Sequence, residues 1–250
     1  LLVDHHGMRT IPGHKDFRRR LNAMDIEWHE MLPFAPLRGQ IRRPDLRNHR
    51  KILVVDGREA YVGSHNLVAP DYDTPSYAKA GMLYDDTSVS VTGPIVAQVQ
   101  AVFAVDWYYA CKEILTVDVL TPPAAQVSAE GEDEQASAMQ IIPSGPAFTG
   151  EPNLRAFVHM ISLARTHVSI TSPYFIPDEA LMTALTNAAL SGVEVELFVS
   201  EQFDQFLVGH AQRSYYGPLL KAGVRIHLYH KPRMLHSKYM IVDGSLCFIG

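Results

Sequence analysis

Apolar residues recur along the chain with two periods, one typical of strands and one typical of helices, and the two kinds of segment alternate. In the first half, LLVD predicts a strand and FRRRLNAMDIEW predicts a helix. In the second half, ELFVS, YYGPLLKAG and VRIHLY predict a strand, a helix and a strand in turn. Helices that alternate with strands are typical of the α/β class, so the pattern predicts an α/β protein.

A further run of elements is predicted just ahead of these in the second half. It consists of a helix over about Leu154–Arg165, a strand at HVSIT, a helix over about Asp178–Leu190 and a strand at VEVELFV. Between the halves, TPPAAQVSAEGEDEQASAMQ is rich in Ala, Pro, Ser and acidic residues and has no apolar period. We therefore predict a first lobe over 1–120, an acidic flexible linker over 121–140 and a second, similar lobe over 141–250.

Both lobes carry the same short motif, and such internal repeats indicate repeated architecture. The first copy, HRKILVVDGREAYVGSHN, covers 49–66, and the second, HSKYMIVDGSLCFIG, covers 236–250. Each copy joins two β-rich runs, which predicts a hairpin that turns at Asp56-Gly57 or at Asp243-Gly244. The chain opens inside an apolar run and stops where the first copy continues to a serine. We therefore expect a fragment whose first lobe is truncated at its N-terminus and whose second lobe is truncated at its C-terminus.

Each motif copy begins with a histidine and a lysine two residues apart. If both residues lie in the first strand of the hairpin, His49 and Lys51 point to the same side of the sheet, and so do His236 and Lys238. Strand alternation does not place the aspartate of the turn beside the histidine. We therefore expect that aspartate to support the turn or to pair with a nearby charge.

Composition indicates a folded globular protein, because 47% of the 250 residues are hydrophobic and 20% are charged. The net charge of −5 argues against a general nucleic-acid-binding protein, which would usually be basic. Charge is uneven, however: LRGQIRRPDLRNHRK, residues 37–51, is rich in Arg, which fits either a local anionic target or a solvated loop. Cys111 and Cys247 lack the spacing of a disulfide framework or of a zinc site, so core positions are expected for both.

A repeated histidine-lysine pair suits phosphoryl transfer. A neutral imidazole can attack phosphorus and a protonated imidazole can protonate a departing oxygen, but one histidine cannot do both in one step. The two lysines could neutralise the charge that spreads over the phosphoryl oxygens, together with Ser64 and Asn66 as hydrogen-bond donors. The alternative is that each pair lies on a strand surface without a function. Two matches in equivalent strand contexts disfavour that alternative.

The pattern HxKxxxxD followed by GSxN resembles the phospholipase D superfamily. Blocks along the whole chain, among them LRNHRKILVVDGREAYVGSHNL, SPYFIPDEAL and LHSKYMIVDG, resemble bacterial cardiolipin synthases in the same order. The resemblance implies two similar α/β/α lobes with the active site at their interface. It also implies a reaction without a metal or another cofactor, in which a phosphatidyl group passes from one phosphatidylglycerol to another and glycerol leaves. The implied location is the cell membrane, and the implied partners are phosphatidylglycerol and other anionic phospholipids at the membrane surface, with no nucleic acid.

The resemblance also assigns roles to residues, although the sequence alone does not decide how the two histidines share the work. His49 would be the nucleophile that forms a phosphatidyl-histidine, and His236 would protonate the leaving glycerol and then deprotonate the incoming hydroxyl. Asp86 falls where the family carries an acidic residue that orients a catalytic imidazole; the alternative is an ordinary strand-edge carboxylate. Tyr174 and Phe175 could border a lipid groove, but core positions are favoured. The two catalytic motifs are completed by Lys51, Asp56, Lys238 and Asp243.

Two other functions stay open at this point. A phosphodiesterase of the same fold, either a lipid hydrolase or a nuclease, would use the same catalytic residues with water as the acceptor. An inactive lipid-binding scaffold is disfavoured, because both histidine-lysine pairs are intact.

Overall fold

The computed structural model describes residues 1–33, 47–72, 74–115, 137–145, 148–203 and 206–250. Residues 37–46 of the basic stretch and residues 121–136 of the predicted linker lie outside this range. The chain forms two compact units. Unit 1 combines Leu1–Val62 with Val89–Gly150, and unit 2 combines Gly63–Ser88 with Glu151–Gly250.

The described helices and strands are interspersed along the chain. In order they are β1 (Leu2–Asp4), α1 (His5–Thr10), α2 (His14–Ala23), β2 (His29–Met31), β3 (Lys51–Val55), β4 (Glu59–Gly63), α3 (Pro75–Ala80), β5 (Leu83–Asp85), β6 (Ser88–Thr92), α4 (Ile95–Cys111), α5 (Pro152–Leu163), β7 (His167–Thr171), α6 (Glu179–Leu190), β8 (Glu194–Ser200), α7 (Phe206–Ser214), α8 (Tyr216–Ala222), β9 (Arg225–Tyr229), β10 (Arg233–Leu235), β11 (Tyr239–Val242) and β12 (Leu246–Ile249).

Unit 1 is built on a three-stranded sheet in the order β3-β4-β6, and β1 pairs in parallel with β2. The apolar helix α4 supplies Ile95, Val96 and Val99 to a core that also contains residues of β4 and β6. This helix continues without Gly or Pro until Lys112, which adopts a φ of +66° and ends it. Apolar side chains of one helix face thus cover the small sheet of this unit.

Unit 2 is built on a five-stranded sheet in the order β12-β11-β7-β8-β9. The strands β7, β8 and β9 run parallel, while β11 lies antiparallel to both β7 and β12. The core of this unit draws on the sheet and on three of its helices, with Ile161 from α5, Leu185 from α6 and Leu219 from α8. Separately, β5 pairs in parallel with β10, and Met82, Tyr84 and Met234 form a second apolar cluster there.

These findings confirm the α/β class and both predicted hairpins. The Asp-Gly turn residues adopt positive φ in both copies, at +52° and +64° for Asp56 and Gly57 and at +51° and +65° for Asp243 and Gly244. Two successive positive φ values are what a tight two-residue hairpin turn requires, and Asp and Gly tolerate them. The predicted helix that ends at Leu190 is also present, and Asp178 caps it by accepting a hydrogen bond from the Leu181 N–H at 2.8 Å.

The lobe boundaries at 120 and 141 stay a prediction, and the two compact units differ from them in two places. Residues 63–88 belong with unit 2, although they precede the predicted linker. Residues that follow the linker, up to Gly150, belong to unit 1, where the Ile141 N–H donates to the Gln98 side chain at 3.2 Å. Within the described ranges, no helix has the length and hydrophobicity that crossing a membrane would require.

Candidate active site

The second histidine-lysine pair lies beside the segment that follows β5. Because β5 and β10 run in parallel, the chain leaves both strands at the same edge. Beyond that edge, the backbone N–H groups of His236 and Ser237 both donate to the Asp85 carbonyl, at 2.9 and 3.0 Å. Because two successive N–H groups donate to one carbonyl, the regular strand pairing ends here, and His236 lies between β10 and β11. The expectation that histidine and lysine share a strand is therefore wrong, and in the first copy β3 likewise begins only at Lys51.

His236 is in contact with the carboxylate predicted to orient an imidazole. Asp86 Oδ1 lies 2.5 Å from His236 Nδ1, and both side chains are buried. A carboxylate accepts the proton on Nδ1, which leaves Nε2 as the ring nitrogen that can take or give a proton. Burial raises the pKa of the Asp86 carboxyl, but hydrogen bonds from His236 and Ser64 outweigh burial, and the pKa lies below its ordinary value. Asp86 therefore keeps its negative charge beside the imidazole at neutral pH.

Ser64 supports this carboxylate from inside unit 2. The residue is 1% exposed, and its hydroxyl oxygen accepts the Thr87 N–H at 2.9 Å. The same hydroxyl donates to the Thr87 carbonyl at 3.3 Å, and it helps to lower the pKa of the Asp86 carboxyl. Gly63 is needed for this packing, because a Cβ there would lie 2.3 Å from the Thr87 carbonyl oxygen. These contacts place Ser64 behind Asp86 and favour a positioning role over direct contact with a phosphate.

Asn66 and Asp85 also lie in unit 2, and each has a partner of its own. The Asn66 amide donates to the Tyr72 hydroxyl at 2.5 Å. The Asp85 carboxylate accepts hydrogen bonds from the Arg233 guanidinium and the Tyr229 hydroxyl. The hydrogen bond from Arg233 holds the pKa of Asp85 below its ordinary value. Asp85 thus anchors the start of β10, while its neighbour Asp86 faces the histidine.

An aromatic cluster packs against the His236 ring. The Tyr84 ring meets it edge to face, with the centroids 5.6 Å apart. Tyr174 packs against the same cluster of Met82, Tyr84 and Met234. Phe175 is buried in the core of the five-stranded sheet, as favoured from the sequence.

The lysines of the two motif copies adopt the same local arrangement. Lys51 Nζ donates to the His49 carbonyl at 2.8 Å, and Lys238 Nζ donates to the His236 carbonyl at 2.7 Å. Each ammonium group is thereby held next to the backbone of its own histidine. The repeated sequence therefore produces repeated geometry in two different sheets.

The motif aspartates occupy hairpin turns, away from the histidines along the strand. Asp243 accepts the backbone N–H groups of Arg165, Thr166 and His167, each at 2.9 Å, and the Thr166 hydroxyl at 2.8 Å. These hydrogen bonds, led by that of His167, hold the pKa of Asp243 far below its ordinary value. The four residues of β11 separate Asp243 from the histidine end of the motif, a distance of about 13 Å at the usual rise of a strand. Asp243 therefore braces the start of β7, which fits the supporting role expected for it.

One group that positions the first motif copy was missed by the sequence analysis. The residues on either side of His49 are both held by Asp106 of α4: the Asn48 amide donates to it at 2.9 Å, and Arg50 Nη1 donates to it at 2.7 Å. Arg50 also donates to the Ser144 carbonyl. The signal in the sequence is a single carboxylate in a largely apolar helix, because a buried carboxylate requires a partner.

Comparison with known proteins gives a consistent picture. Residues 157–250 match the protein family described as cardiolipin synthase, PLD-like domain. The chain is 38% identical to the cardiolipin synthase of Geobacillus kaustophilus (strain HTA426), with 88% of this chain and 43% of the relative covered. It is also 38% identical to cardiolipin synthase A of Pseudomonas syringae pv. syringae (strain B728a), with 100% of this chain and 49% of the relative covered. The chain thus spans about half the length of the curated relatives it matches.

A solved structure shares the fold. The crystal structure of phosphatidylserine synthase from Haemophilus influenzae Rd KW20 superimposes with a TM-score of 0.56 and covers 97% of this chain and 62% of that chain, at 13% identity. At that identity the likeness concerns the fold alone. The fold likeness agrees with the sequence matches: residues 157–250 match the PLD-like domain, and most of the chain is similar to cardiolipin synthases.

Proposed function

We propose that the protein is a phosphatidyl transferase that makes cardiolipin from two phosphatidylglycerols and releases glycerol. The main support for this proposal is the distance of 2.5 Å between Asp86 Oδ1 and His236 Nδ1, because this contact orients one imidazole for proton transfer. The similarity to cardiolipin synthases supports the choice of lipid and acceptor. The proposed substrates are anionic phospholipids at the surface of the cell membrane.

In the proposed first step, His49 attacks the phosphorus of one phosphatidylglycerol. A phosphorus–nitrogen bond forms, the phosphorus–oxygen bond to glycerol breaks, and His236 gives its Nε2 proton to the departing glycerol oxygen. In the second step, His236 takes a proton from the incoming hydroxyl of a second phosphatidylglycerol. The new phosphorus–oxygen bond then forms as the phosphorus–nitrogen bond breaks, and both histidines return to their starting states.

The remaining motif residues are proposed to support these steps. Lys51 and Lys238 supply positive charge for the phosphoryl oxygens, whose negative charge is greatest in the transition state. Asp86 keeps His236 in one tautomer and stabilises its protonated form, and Ser64 holds Asp86. Asn66 orients the substrate or the loop that follows β4, while Asp56 and Asp243 support the hairpins.

The reaction is tested by the products that the purified full-length protein makes from labelled phosphatidylglycerol in mixed micelles. Cardiolipin and free glycerol in equal amounts are expected. Phosphatidic acid as the main product would show that water is the acceptor and would replace the transferase by a phospholipase D-type hydrolase. No conversion of lipid by a folded protein would favour the inactive scaffold.

The role of the two histidines is tested by rapid acid-free quench and detection of a phosphatidyl adduct. The adduct is expected on His49, it should be absent in His49→Ala, and it should form slowly in His236→Ala. An adduct on His236 would reverse the two roles. A matched control is His230→Ala, because that side chain is 86% exposed and belongs to neither motif.

The role of Asp86 is tested by comparing Asp86→Asn with Asp85→Asn, two neighbouring carboxylates with different partners. Asp86→Asn should lower kcat by about 100-fold or more, since general acid–base catalysis contributes about 10²–10⁴-fold. KM should change little, because Asp86 acts through the imidazole. Asp85→Asn should lower kcat much less. Equal kcat values for the two variants would rule out an orienting role for Asp86.

A further inference from the structure

Three side chains of unit 1 that are far apart in sequence converge at the end of α4. One nitrogen of His29, the sulfur of Cys111 and a carboxylate oxygen of Glu113 all lie within 4.8 Å of one another. His29 is the first residue of β2 and Cys111 is the last residue of α4. Glu113 follows Lys112, whose positive φ turns the chain back at the helix end. The fold therefore places a nitrogen, a sulfur and an oxygen ligand together.

One buried residue, Trp107, contacts all three of these side chains. Its ring meets the His29 ring edge to face, with the centroids 4.7 Å apart. Its backbone carbonyl accepts the Cys111 S–H at 3.2 Å, and its indole N–H donates to the Glu113 carboxylate at 3.4 Å. The indole hydrogen bond orients the Glu113 carboxylate as groups behind a metal ligand do, and the other two contacts hold His29 and Cys111 in place in the metal-free protein.

The His29 ring has an unsatisfied nitrogen. Its Nε2 is buried and makes no hydrogen bond to any residue in the described part of the chain. The carboxylate of Glu27 approaches this nitrogen to 3.5 Å without forming a hydrogen bond. A buried ring nitrogen that makes no hydrogen bond is unfavourable, even with the Glu27 carboxylate 3.5 Å away, and a metal ion is one of the partners that imidazole binds best.

We propose that His29, Cys111 and Glu113 bind one Zn²⁺ ion, with water as the fourth ligand. Zinc accepts thiolate, imidazole and carboxylate ligands, and three protein ligands with one water form a recognised type of zinc site. Zinc bonds of about 2.0–2.3 Å place tetrahedral ligand atoms about 3.3–3.8 Å apart, so the three side chains need to close by about 1 Å. Glu113 is exposed and Cys111 is only partly buried, and rotation of their side chains can supply this movement.

The ion would join the start of β2 to the end of α4 and thereby stabilise unit 1. Binding replaces the thiol proton of Cys111 by the metal, so the affinity should fall as the pH is lowered. The site shares no residue with the two motif copies. It is therefore independent of the proposed transferase reaction, and it holds whether or not that reaction is correct.

Cobalt titration of the metal-free full-length protein provides the first test, because Co²⁺ bound to a thiolate has a strong near-ultraviolet absorption that Co²⁺ bound to histidines alone lacks. One equivalent of Co²⁺ should produce this absorption, and Zn²⁺ should abolish it. Cys111→Ser should remove the absorption and weaken Zn²⁺ binding by more than about 100-fold, since even partners outside the ligand shell are worth about 10–100-fold. Cys247→Ser, which changes the other cysteine, should leave both unchanged.

Thermal unfolding with and without Zn²⁺ provides a second test that does not depend on the Cys111 variant being folded. Zn²⁺ should raise the Tm of the wild type and of Cys247→Ser, and the increase should be much smaller in Glu113→Gln, a change at an exposed position. No thiolate absorption in the wild type would overturn the proposal. So would an absorption that disappears in Cys247→Ser, or a Tm increase that is the same in Glu113→Gln.

Discussion

The two motif copies form the same hairpin but lie in different surroundings. In the second copy, Met240 and Val242 are 0% and 1% exposed, whereas the equivalent Leu53 and Val55 of the first copy are 56% and 42% exposed. The strand β11 lies inside a five-stranded sheet between β12 and β7, while β3 is at the edge of a three-stranded sheet. In unit 1 the neighbouring positions Ile52 and Val54 pack on the core instead.

This difference separates what the motif itself determines from what its surroundings determine. The turn conformation and the lysine–carbonyl hydrogen bond occur in both copies, so they follow from the motif. Other elements supply the remaining contacts. The carboxylate that contacts His236 comes from the segment after β5, and the backbone N–H groups that donate to Asp243 come from the start of β7. Gly63 and Ser64 lie near the end of the first copy in sequence, yet in space they support the histidine of the second copy through Asp86.

The largest expected effect concerns the two lysines. If both copies serve one reaction, Lys51→Met and Lys238→Met should each lower kcat by about 10²–10³-fold with little change in KM, because each removes charge that matters most in the transition state. Steady-state kinetics on micellar phosphatidylglycerol would measure this, with Lys221→Met on the exposed side of α8 as a control. Full turnover by either motif variant would show that the two copies do not contribute equally.

A smaller but still large effect is expected from Gly63→Ala. The new Cβ would lie within 2.6 Å of the Thr87 carbonyl oxygen and of two Ser88 atoms, so the backbone behind Asp86 must move. Overpacking of this kind costs about 1–3 kcal/mol of unfolding free energy, and denaturant titration would measure it. Gly217→Ala is the matched control, because nothing lies within 4 Å of the added atom and Ala is favoured in a helix by up to about 1 kcal/mol.

The two turn aspartates should differ in their effect on stability. Asp243→Asn replaces the acceptor of the Arg165 N–H by a donor, whereas the Asp56 side chain has no hydrogen bond to a residue within the described ranges. Asp243→Asn should therefore lower the Tm clearly more than Asp56→Asn at neutral pH. Both variants keep a residue type that tolerates positive φ, so the comparison isolates the side-chain contacts.

The same pair of variants gives a pH dependence with a definite sign. The folded pKa of Asp243 is depressed, so its stabilisation is complete above the unfolded value of about 3.9 and is lost as the pH falls through the folded value. The Tm difference between wild type and Asp243→Asn should therefore shrink in acid below about pH 4. A difference that stays constant in acid would show that charge on Asp243 does not contribute.

The sequence predicted the features that depend on local patterns. Alternating apolar periods predicted the α/β class, and Asp-Gly between β-rich runs predicted both hairpins. The placement of His236 outside a strand was not predicted, because it depends on the Asp85 carbonyl, which is distant in sequence. For the same reason, the three residues of the proposed zinc site have no recognisable spacing: β2 and α4 bring His29 to Cys111 only in the folded chain.

The smallest effect is expected from shortening the acidic segment between the two motif copies. Its sequence has few apolar residues to bury, so removal of Ser128 to Ser137 should leave activity and Tm close to those of the wild type. The deletion spares the residues of unit 1 that follow the segment, where the Ile141 N–H donates to Gln98 and the Ser144 carbonyl accepts from Arg50. A longer deletion that reaches Ser144 serves as the contrast, and it should lower the Tm because the Arg50 contact is lost. If the short deletion abolishes activity while the protein stays folded, the acidic segment takes part in the reaction, and the two copies are not sufficient for it.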